Sequence, residues 1–222
     1  MERKAQGALS DLTEALAALP LFPLPQTVLF PGVLMPFHIF EPRYRALVRD
    51  VLETHRSLGI VLITRPDVVD AFGHPTIASI ASVGTIVDHA ELPGGRYNIL
   101  VRGRARVRLD ELPFVPPYRR AAATVLSISS NEPSQQDLVA LMTSATRFAS
   151  FVKERERSFD FRLPEGASPT VVADLCASQL VLDEKERQTI LETLDPAQRV
   201  RRVAEALAMQ TLTLGPPSRE LN

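Results

Sequence analysis

Residues 19–45 have the sequence LPLFPLPQTVLFPGVLMPFHIFEPRYR, and this segment decides the fold. Prolines recur every few residues among large apolar side chains, which keeps the chain extended and divides it into short strands. The pattern changes at Glu41-Pro42, because proline suits the first turn of a helix. The apolar residues that follow are spaced as on a helix, at Tyr44, Leu47, Val48, Val51 and Leu52. The segment therefore predicts two short strands that lead into one amphipathic helix.

The composition is that of an ordinary globular protein. Apolar residues make up 45% of the 222 residues and charged residues 23%, and no apolar run approaches the roughly 20 residues of a membrane helix. The apolar residues of the first twenty positions are interleaved with polar ones, unlike a signal peptide. The single cysteine, Cys176, excludes an intramolecular disulfide and suits a reducing compartment. We therefore expect a cytoplasmic protein that does not enter a membrane.

Residues 19–130 are predicted to form a β-rich subdomain with one helix. Leu58–Thr64 is a nearly continuous apolar run, and residues 67–76 are predicted to form a loop. Glycines in Pro93-Gly94-Gly95 permit the positive φ of a hairpin turn between strands at 77–92 and 97–109. A further strand is predicted at 118–128, so about six strands are expected, which suits a small barrel.

The pattern becomes helical after residue 131. Ser134 with Asp137, Ser168-Pro169, Asp183 with Glu186, and Asp195-Pro196 are all helix-start signals. They predict four helices over 131–215, the last of which ends at Gly215-Pro216-Pro217. Residues 1–18 are assigned to an N-terminal extension and 216–222 to a tail.

Four pieces of sequence, in order, resemble the N-terminal substrate-recognition domain of the Lon protease family. They are the opening at 19–45, Val83-Gly84-Thr85-Ile86-Val87, the hairpin and strand at 92–109, and Pro117-Tyr118 with the strand that follows. The resemblance implies an α+β fold: a PUA-like six-stranded β-barrel with one helix, followed by a helical bundle.

The 222 residues lack the motifs of the catalytic modules that accompany this domain in a full Lon protease. A phosphate loop needs Gly-x4-Gly-Lys-[Ser/Thr], and neither Lys4, Lys153 nor Lys185 stands in that spacing. Ser218 has no lysine after it, so it is no protease nucleophile. We therefore expect a stand-alone Lon N-terminal domain protein that is not an enzyme and has no cofactor.

Four arginines alternate along the predicted strand at 97–109, at Arg102, Arg104, Arg106 and Arg108. A period of two places them on one face of the strand. PUA-like barrels in other families bind RNA, so this face is a candidate site for RNA or another anion. The alternative is a solvated sheet face whose arginines pair with acidic residues, and we favour that interpretation.

No catalytic or metal site can be assembled from the reactive side chains. His38, His55, His74 and His89 are scattered, and Cys176 lies on the apolar stripe of its helix. Glu41 and Arg45 are expected to form an i,i+4 pair at the helix start, with a binding role for Glu41, Arg43 and Arg45 as the lesser alternative.

The function most consistent with these observations is binding of polypeptide segments or a protein partner. We expect the barrel and its junction with the helices to do this, with RNA as the alternative partner. The peptide-binding residues cannot be chosen from the sequence, because it does not tell which phenylalanines are exposed among Phe22, Phe30, Phe37, Phe40, Phe72 and Phe114. The oligomeric state and the identity of the partner are left open.

Overall fold

The computed structural model describes residues 12–214, and the chain divides between Leu126 and Ser127 into two compact units. Most of the predicted N-terminal extension, the helix stop at Gly215-Pro216-Pro217, the tail and Ser218 lie outside the described residues. No helix within 12–214 combines the length and the apolar character that crossing a membrane requires.

The first unit contains two helices and seven strands. Its elements are α1 (Thr13–Ala17), β1 (Leu19–Leu24), β2 (Leu34–Ile39), α2 (Pro42–Leu52), β3 (Ser57–Val69), β4 (Pro75–Ile77), β5 (Ile80–Leu92), β6 (Arg96–Glu111) and β7 (Arg120–Val125). The strands on either side of residues 93–95 pair as the predicted hairpin, and Gly94 and Gly95 have φ of +80° and +69°.

The sheet of the first unit is almost closed into a ring. Strands pair in the order β1-β7-β6-β5-β3, and a parallel pairing of β1 with β3, Leu21 opposite Gly59, joins the two ends. β2 adds to β6, and β4 adds to β3. The interior is filled by buried aliphatic side chains, among them Leu19, Leu21, Leu58, Ile60, Val83, Val101 and Val107. The predicted small barrel is therefore confirmed, with the short β4 as an additional strand.

α2 begins as the sequence predicts, but one expected contact at its start is wrong. Glu41 is extended, Pro42 occupies the first turn, and Tyr44 is buried. Glu41 pairs with Arg43 at 2.8 Å rather than with Arg45. The Nε of Arg45 instead donates to the Gly95 carbonyl at 2.7 Å, because the β5–β6 turn offers an acceptor that a helix-only argument does not contain.

The region predicted as a loop at 67–76 is largely a hairpin, which we name the arm (residues 63–77). β3 continues through Pro66 to Val69, although a proline usually ends a central strand. It is tolerated because the pairing with β1 ends at Leu62, so that side of β3 needs no N–H from residue 66. Asp70 closes the turn by accepting from the backbone N–H groups of Phe72 and His74 at 2.8 and 2.9 Å.

The second unit is helical. Its elements are α3 (Gln135–Arg155), α4 (Pro169–Leu180), α5 (Glu184–Glu192) and α6 (Pro196–Leu214). Ser134 and Asp137 form the predicted capping box, and Asp183 accepts from the Glu186 N–H at 2.7 Å. Ser168 differs: its hydroxyl lies 3.0 Å from that of Thr170, and the described residues give it no capping bond to the backbone.

The core of the helical unit contains apolar side chains and one buried ion pair. Arg199 and Asp174 are both almost completely inaccessible, with the Nε of Arg199 3.3 Å from a carboxylate oxygen of Asp174. Cys176 lies in the same core, where burial raises the pKa of its thiol to about 12. The structure therefore places Cys176 among packing residues, as predicted from its position on the apolar stripe.

Candidate functional site

Large apolar side chains are exposed together on one side of the first unit. The arm presents Val68, Val69 and Phe72, of which Phe72 is 65% exposed. The segment after β6 contributes the exposed Leu112 and the half-buried Phe114. Between them lies an open groove of about 500 Å³, which we name the trough. Contiguous apolar exposure of this kind is uncommon on a soluble domain and usually marks an interaction site.

Aromatic rings from two distant segments make up the centre of the trough. The ring centroids of Phe72 and Phe114 are 5.1 Å apart, and the ring of His74 meets Phe114 edge-on at 4.4 Å. Asp70 fixes the turn beneath them: hydrogen bonds from the backbone of His74 and Phe72 hold the pKa of this carboxyl below its ordinary value. The rings of Phe72 and His74 are thus carried by a closed turn, although Phe72 itself is open to solvent.

Arg119 braces the floor of the trough. Its Nη1 donates to the Pro75 carbonyl at 2.8 Å, and its Nε and Nη2 both reach the carboxylate of Glu111, at 2.9 and 2.6 Å. The Arg119 side chain is only 11% exposed. One residue therefore ties together the start of β4, the end of β6 and the start of β7. Because the guanidinium is matched by a carboxylate in a bidentate pair, this pair adds no net charge to the trough.

A second, narrower cleft of about 160 Å³ adjoins the trough. The two share His74, Pro75 and Arg119 in their walls. The other walls of the cleft come from the end of β1, the start of α2 and the segment that leads into β7; they include Leu24, Tyr44, Ile63 and Tyr118. The trough and the cleft are therefore adjacent, and most residues that line each of them are apolar.

The four alternating arginines of β6 do not form one accessible face. Arg102 and Arg108 are exposed, and Arg104 is half-buried, with its Nη1 donating to the Thr85 hydroxyl at 3.2 Å. Arg106 is only 2% exposed, so the expected solvated position is wrong there. Alternation tells which side of a sheet a side chain is on, but not what packs against that side. RNA binding by this strand stays a prediction, now limited to its exposed arginines.

Each histidine has a hydrogen-bond partner from its own surroundings. His38 Nδ1 lies 2.7 Å from the Asn98 side-chain oxygen, and His89 Nδ1 lies 3.3 Å from Arg56. His55 Nδ1 accepts from the Ser57 N–H at 3.1 Å, and burial lowers the pKa of this imidazole. Within residues 12–214, no three His, Cys, Asp or Glu side chains converge as metal ligands would.

Two residues of the trough, Phe72 and Phe114, are among the six phenylalanines that the sequence offered as candidates without a basis for choosing between them. Of the six candidate phenylalanines, Phe22 and Phe30 are buried, Phe37 and Phe114 are half-buried, and Phe40 and Phe72 are exposed. The available signal was the turn sequence Asp70-Ala71-Phe72-Gly73, since an aromatic residue at the tip of a turn has little to pack against.

The comparisons with known proteins agree with this architecture. The sequence model of one protein family, the substrate-binding domain of the ATP-dependent protease La (Lon), matches residues 18–209. The chain belongs to the Lon substrate-binding domain family. Its helical unit lies within the match as well as its barrel, so the family domain comprises both units.

Two relatives of this Lon substrate-binding domain are Lon proteases. That of Roseiflexus castenholzii is 29% identical over 210 residues, which cover 91% of this chain and 25% of that protein. Lon protease 2 of Sorangium cellulosum is 30% identical over 202 residues, covering 87% of this chain and 25% of that protein. The chain thus spans about a quarter of the length of these relatives.

Solved structures show the same fold. A Lon N-terminal domain protein from Xanthomonas campestris superposes with a TM-score of 0.61 at 26% identity, covering 85% of this chain and 97% of that one. The N-terminal domain of the Mycobacterium avium complex Lon protease gives a TM-score of 0.60 at 17% identity, covering 86% and 98%. The α+β class predicted from the sequence, a near-closed sheet followed by helices, is therefore confirmed.

Proposed function

We propose that this Lon substrate-binding domain binds extended polypeptide segments through the trough. The observation that supports it is the exposed aromatic and aliphatic cluster around Phe72 and Phe114, in a domain whose family is described by substrate binding. The chemistry of the binding is non-covalent, and none of the lining side chains forms a nucleophile with an adjacent base.

The composition of the trough favours unfolded segments over folded surfaces. Apolar side chains, which a folded protein hides, are exposed in an unfolded chain, and their transfer into the trough releases roughly 25 cal/mol for each Å² of apolar surface buried. Arg119 and Glu111 neutralise each other beneath the trough, and the other lining carboxylate, Asp70, is held by the backbone of the arm and lies 3.2 Å from His74 Nδ1, so long-range charge contributes little. Binding should therefore depend on apolar content and only weakly on salt.

The decisive test compares two exposed phenylalanines. Phe72→Ser removes the centre of the trough, whereas Phe40→Ser removes a ring of similar exposure, 61%, that is not among the residues lining the trough. Both substitutions lie at the surface and should change the free energy of unfolding by about 0.5 kcal/mol or less. The measurement is the affinity for a reduced, carboxymethylated model protein, followed by fluorescence anisotropy of the labelled model protein.

We expect Phe72→Ser to weaken binding about tenfold or more, and Phe40→Ser to leave it unchanged. Equal losses in the two variants would mean that apolar surface in general, rather than the trough, binds the unfolded chain. Undiminished binding by Phe72→Ser would refute the proposal.

RNA binding is the remaining alternative, and Arg102 with Arg108 is the pair that can test it. A salt-sensitive mobility shift of single-stranded RNA that Arg102→Glu with Arg108→Glu abolishes would support this alternative. Absence of a shift by the unmodified protein at low salt would end it.

A further inference from the structure

We infer that the cleft beside the trough is an anchor pocket for one large, uncharged apolar side chain of the bound polypeptide. This inference rests on the proposed function and adds a sequence preference to it. The pocket would take the side chain of Phe, Leu or Met, while the neighbouring residues of the segment lie in the trough.

The size of the pocket suits one side chain. Its volume is about 160 Å³. An apolar cavity of about 150 Å³ in another protein accommodates benzene, which is the ring of a phenylalanine side chain. A single side chain would therefore fill the pocket and displace the few water molecules that it can hold.

The lining of the pocket disfavours polar and charged side chains. Four of its wall residues are prolines, which have no N–H to donate: Pro23, Pro25, Pro75 and Pro117. The two arginines of the lining are already matched, Arg43 by Glu41 at 2.8 Å and Arg119 by Glu111. A charged guest would lose its hydration, and the arginines of the lining would have to give up existing pairs to bind it.

One of the two tyrosine hydroxyls of the lining, that of Tyr118, is also occupied. The Tyr118 O–H donates to the Asp50 carboxylate at 2.8 Å and accepts from Arg120 Nη2 at 2.9 Å. The Tyr44 ring is held edge-on against Phe22, with centroids 4.6 Å apart, and under the Arg43 guanidinium at 4.5 Å. Walls held by such contacts are formed before the guest arrives, which reduces the ordering cost of binding.

The position of the pocket links it to the trough. His74, Pro75 and Arg119 belong to the walls of both, so the two spaces are neighbours on the surface of the first unit. A segment whose apolar side chain enters the pocket can therefore continue across the aromatic cluster. A narrow, mainly apolar cleft next to a more open groove is an arrangement in which one residue can dominate an interface.

The first test varies the side chain that the peptide offers to the pocket, which we call the guest. A short labelled host peptide with apolar residues for the trough carries Phe, Leu, Ala, Asp or Lys at one further position, and that position is moved along the peptide. We expect the best Phe or Leu peptide to bind about tenfold or more tightly than its Ala, Asp or Lys counterpart.

The matched variants are Leu24→Trp, which fills the pocket from the end of β1, and Phe72→Ser, which alters only the trough. Leu24→Trp should abolish the discrimination between Phe and Ala guests, because neither side chain can then enter the pocket. Phe72→Ser should weaken all peptides by a similar factor. If Leu24→Trp still discriminates, the anchor pocket is refuted while the trough stands; if no peptide binds the unmodified protein, the proposed function itself fails.

A second measurement uses the unmodified protein and so does not depend on whether Leu24→Trp folds. The host peptide carries a photoreactive phenylalanine analogue at the guest position, and after crosslinking the protein is digested and analysed by mass spectrometry. The crosslinks should lie in protein fragments that contain Leu24, Ile63 or Tyr118. Crosslinks confined to other surfaces would overturn the inference.

Discussion

A methyl group added at Gly103 has no room in the structure. The Cβ of Gly103→Ala would lie against the carbonyl oxygen of Phe30, 2.8 Å from its carbonyl carbon and 3.3 Å from Leu29 Cγ. The obstructing Phe30 atoms belong to the backbone, so no change of rotamer relieves the contact. Phe30 belongs to the loop between β1 and β2, and this loop is fixed in place by two backbone hydrogen bonds of 2.9 Å. The Gly103 N–H donates to the Val33 carbonyl, and the Gly32 N–H donates to the Gly103 carbonyl.

The expected cost follows from these contacts. Overpacking a fixed environment costs about 1–3 kcal/mol, and displacing the loop would weaken two backbone hydrogen bonds worth about 1 kcal/mol each. We therefore expect Gly103→Ala to lower the free energy of unfolding by about 3–5 kcal/mol, a large part of the roughly 5–15 kcal/mol of a typical domain.

Gly94→Ala is the matched control. Gly94 has φ +80°, and among the described residues no heavy atom would lie within 4 Å of an added Cβ. Gly94→Ala therefore measures only the free-energy cost of placing a non-glycine residue at positive φ, about 1–2 kcal/mol. The chain contains no tryptophan and has two compact units, so the assay is urea unfolding by circular dichroism together with hydrogen exchange of β6 peptides, which reports on the barrel. A Gly103→Ala cost no larger than that of Gly94→Ala would refute the reasoning.

Three further outcomes are expected. Arg119→Met should lower the free energy of unfolding by about 1–3 kcal/mol and speed hydrogen exchange in the arm, since the side chain is 11% exposed and ties three strand ends together; unchanged exchange would contradict this. The thiol of Cys176, with a pKa of about 12, should resist iodoacetamide near pH 8 until urea is added, and prompt labelling of the native protein would show that the burial is wrong. Hydrogen bonds from the Ser134 side chain and backbone lower the pKa of Asp137, so the stability they give is present above its ordinary pKa, about 4, and is lost as pH falls through the folded value. Ser134→Ala should therefore destabilise α3 more at pH 7 than at pH 3, as hydrogen exchange of α3 would reveal; an equal effect at both values would exclude this linkage.

The features that the sequence could predict are those with local causes. The turn at Pro93-Gly94-Gly95 needs glycines for its positive φ, and the start of α3 needs an acceptor at Ser134 and an acid at Asp137. Each of these requirements is met within four residues of chain. Such signals therefore place hairpins and helix starts without knowledge of the rest of the fold.

The features that the sequence could not predict depend on distant partners. Pro66 suggested the end of a strand, and only the absence of β1 beside it explains why β3 continues. Arg106 follows the alternation of its neighbours but is buried by contacts that alternation does not include. The trough has the same origin, because Phe72 and Phe114 meet only once the arm and the segment after β6 have been brought together.

The parallel pairing that completes the ring has a consequence for synthesis of the protein. β1 is the first strand of the ring to be made, yet its neighbours are residues 59–62 and 120–121. A ribosome therefore releases the apolar β1 long before its second partner exists, and the ring cannot close until β7 has emerged. Throughout that interval the nascent chain itself displays the kind of extended apolar segment that the finished trough is proposed to hold.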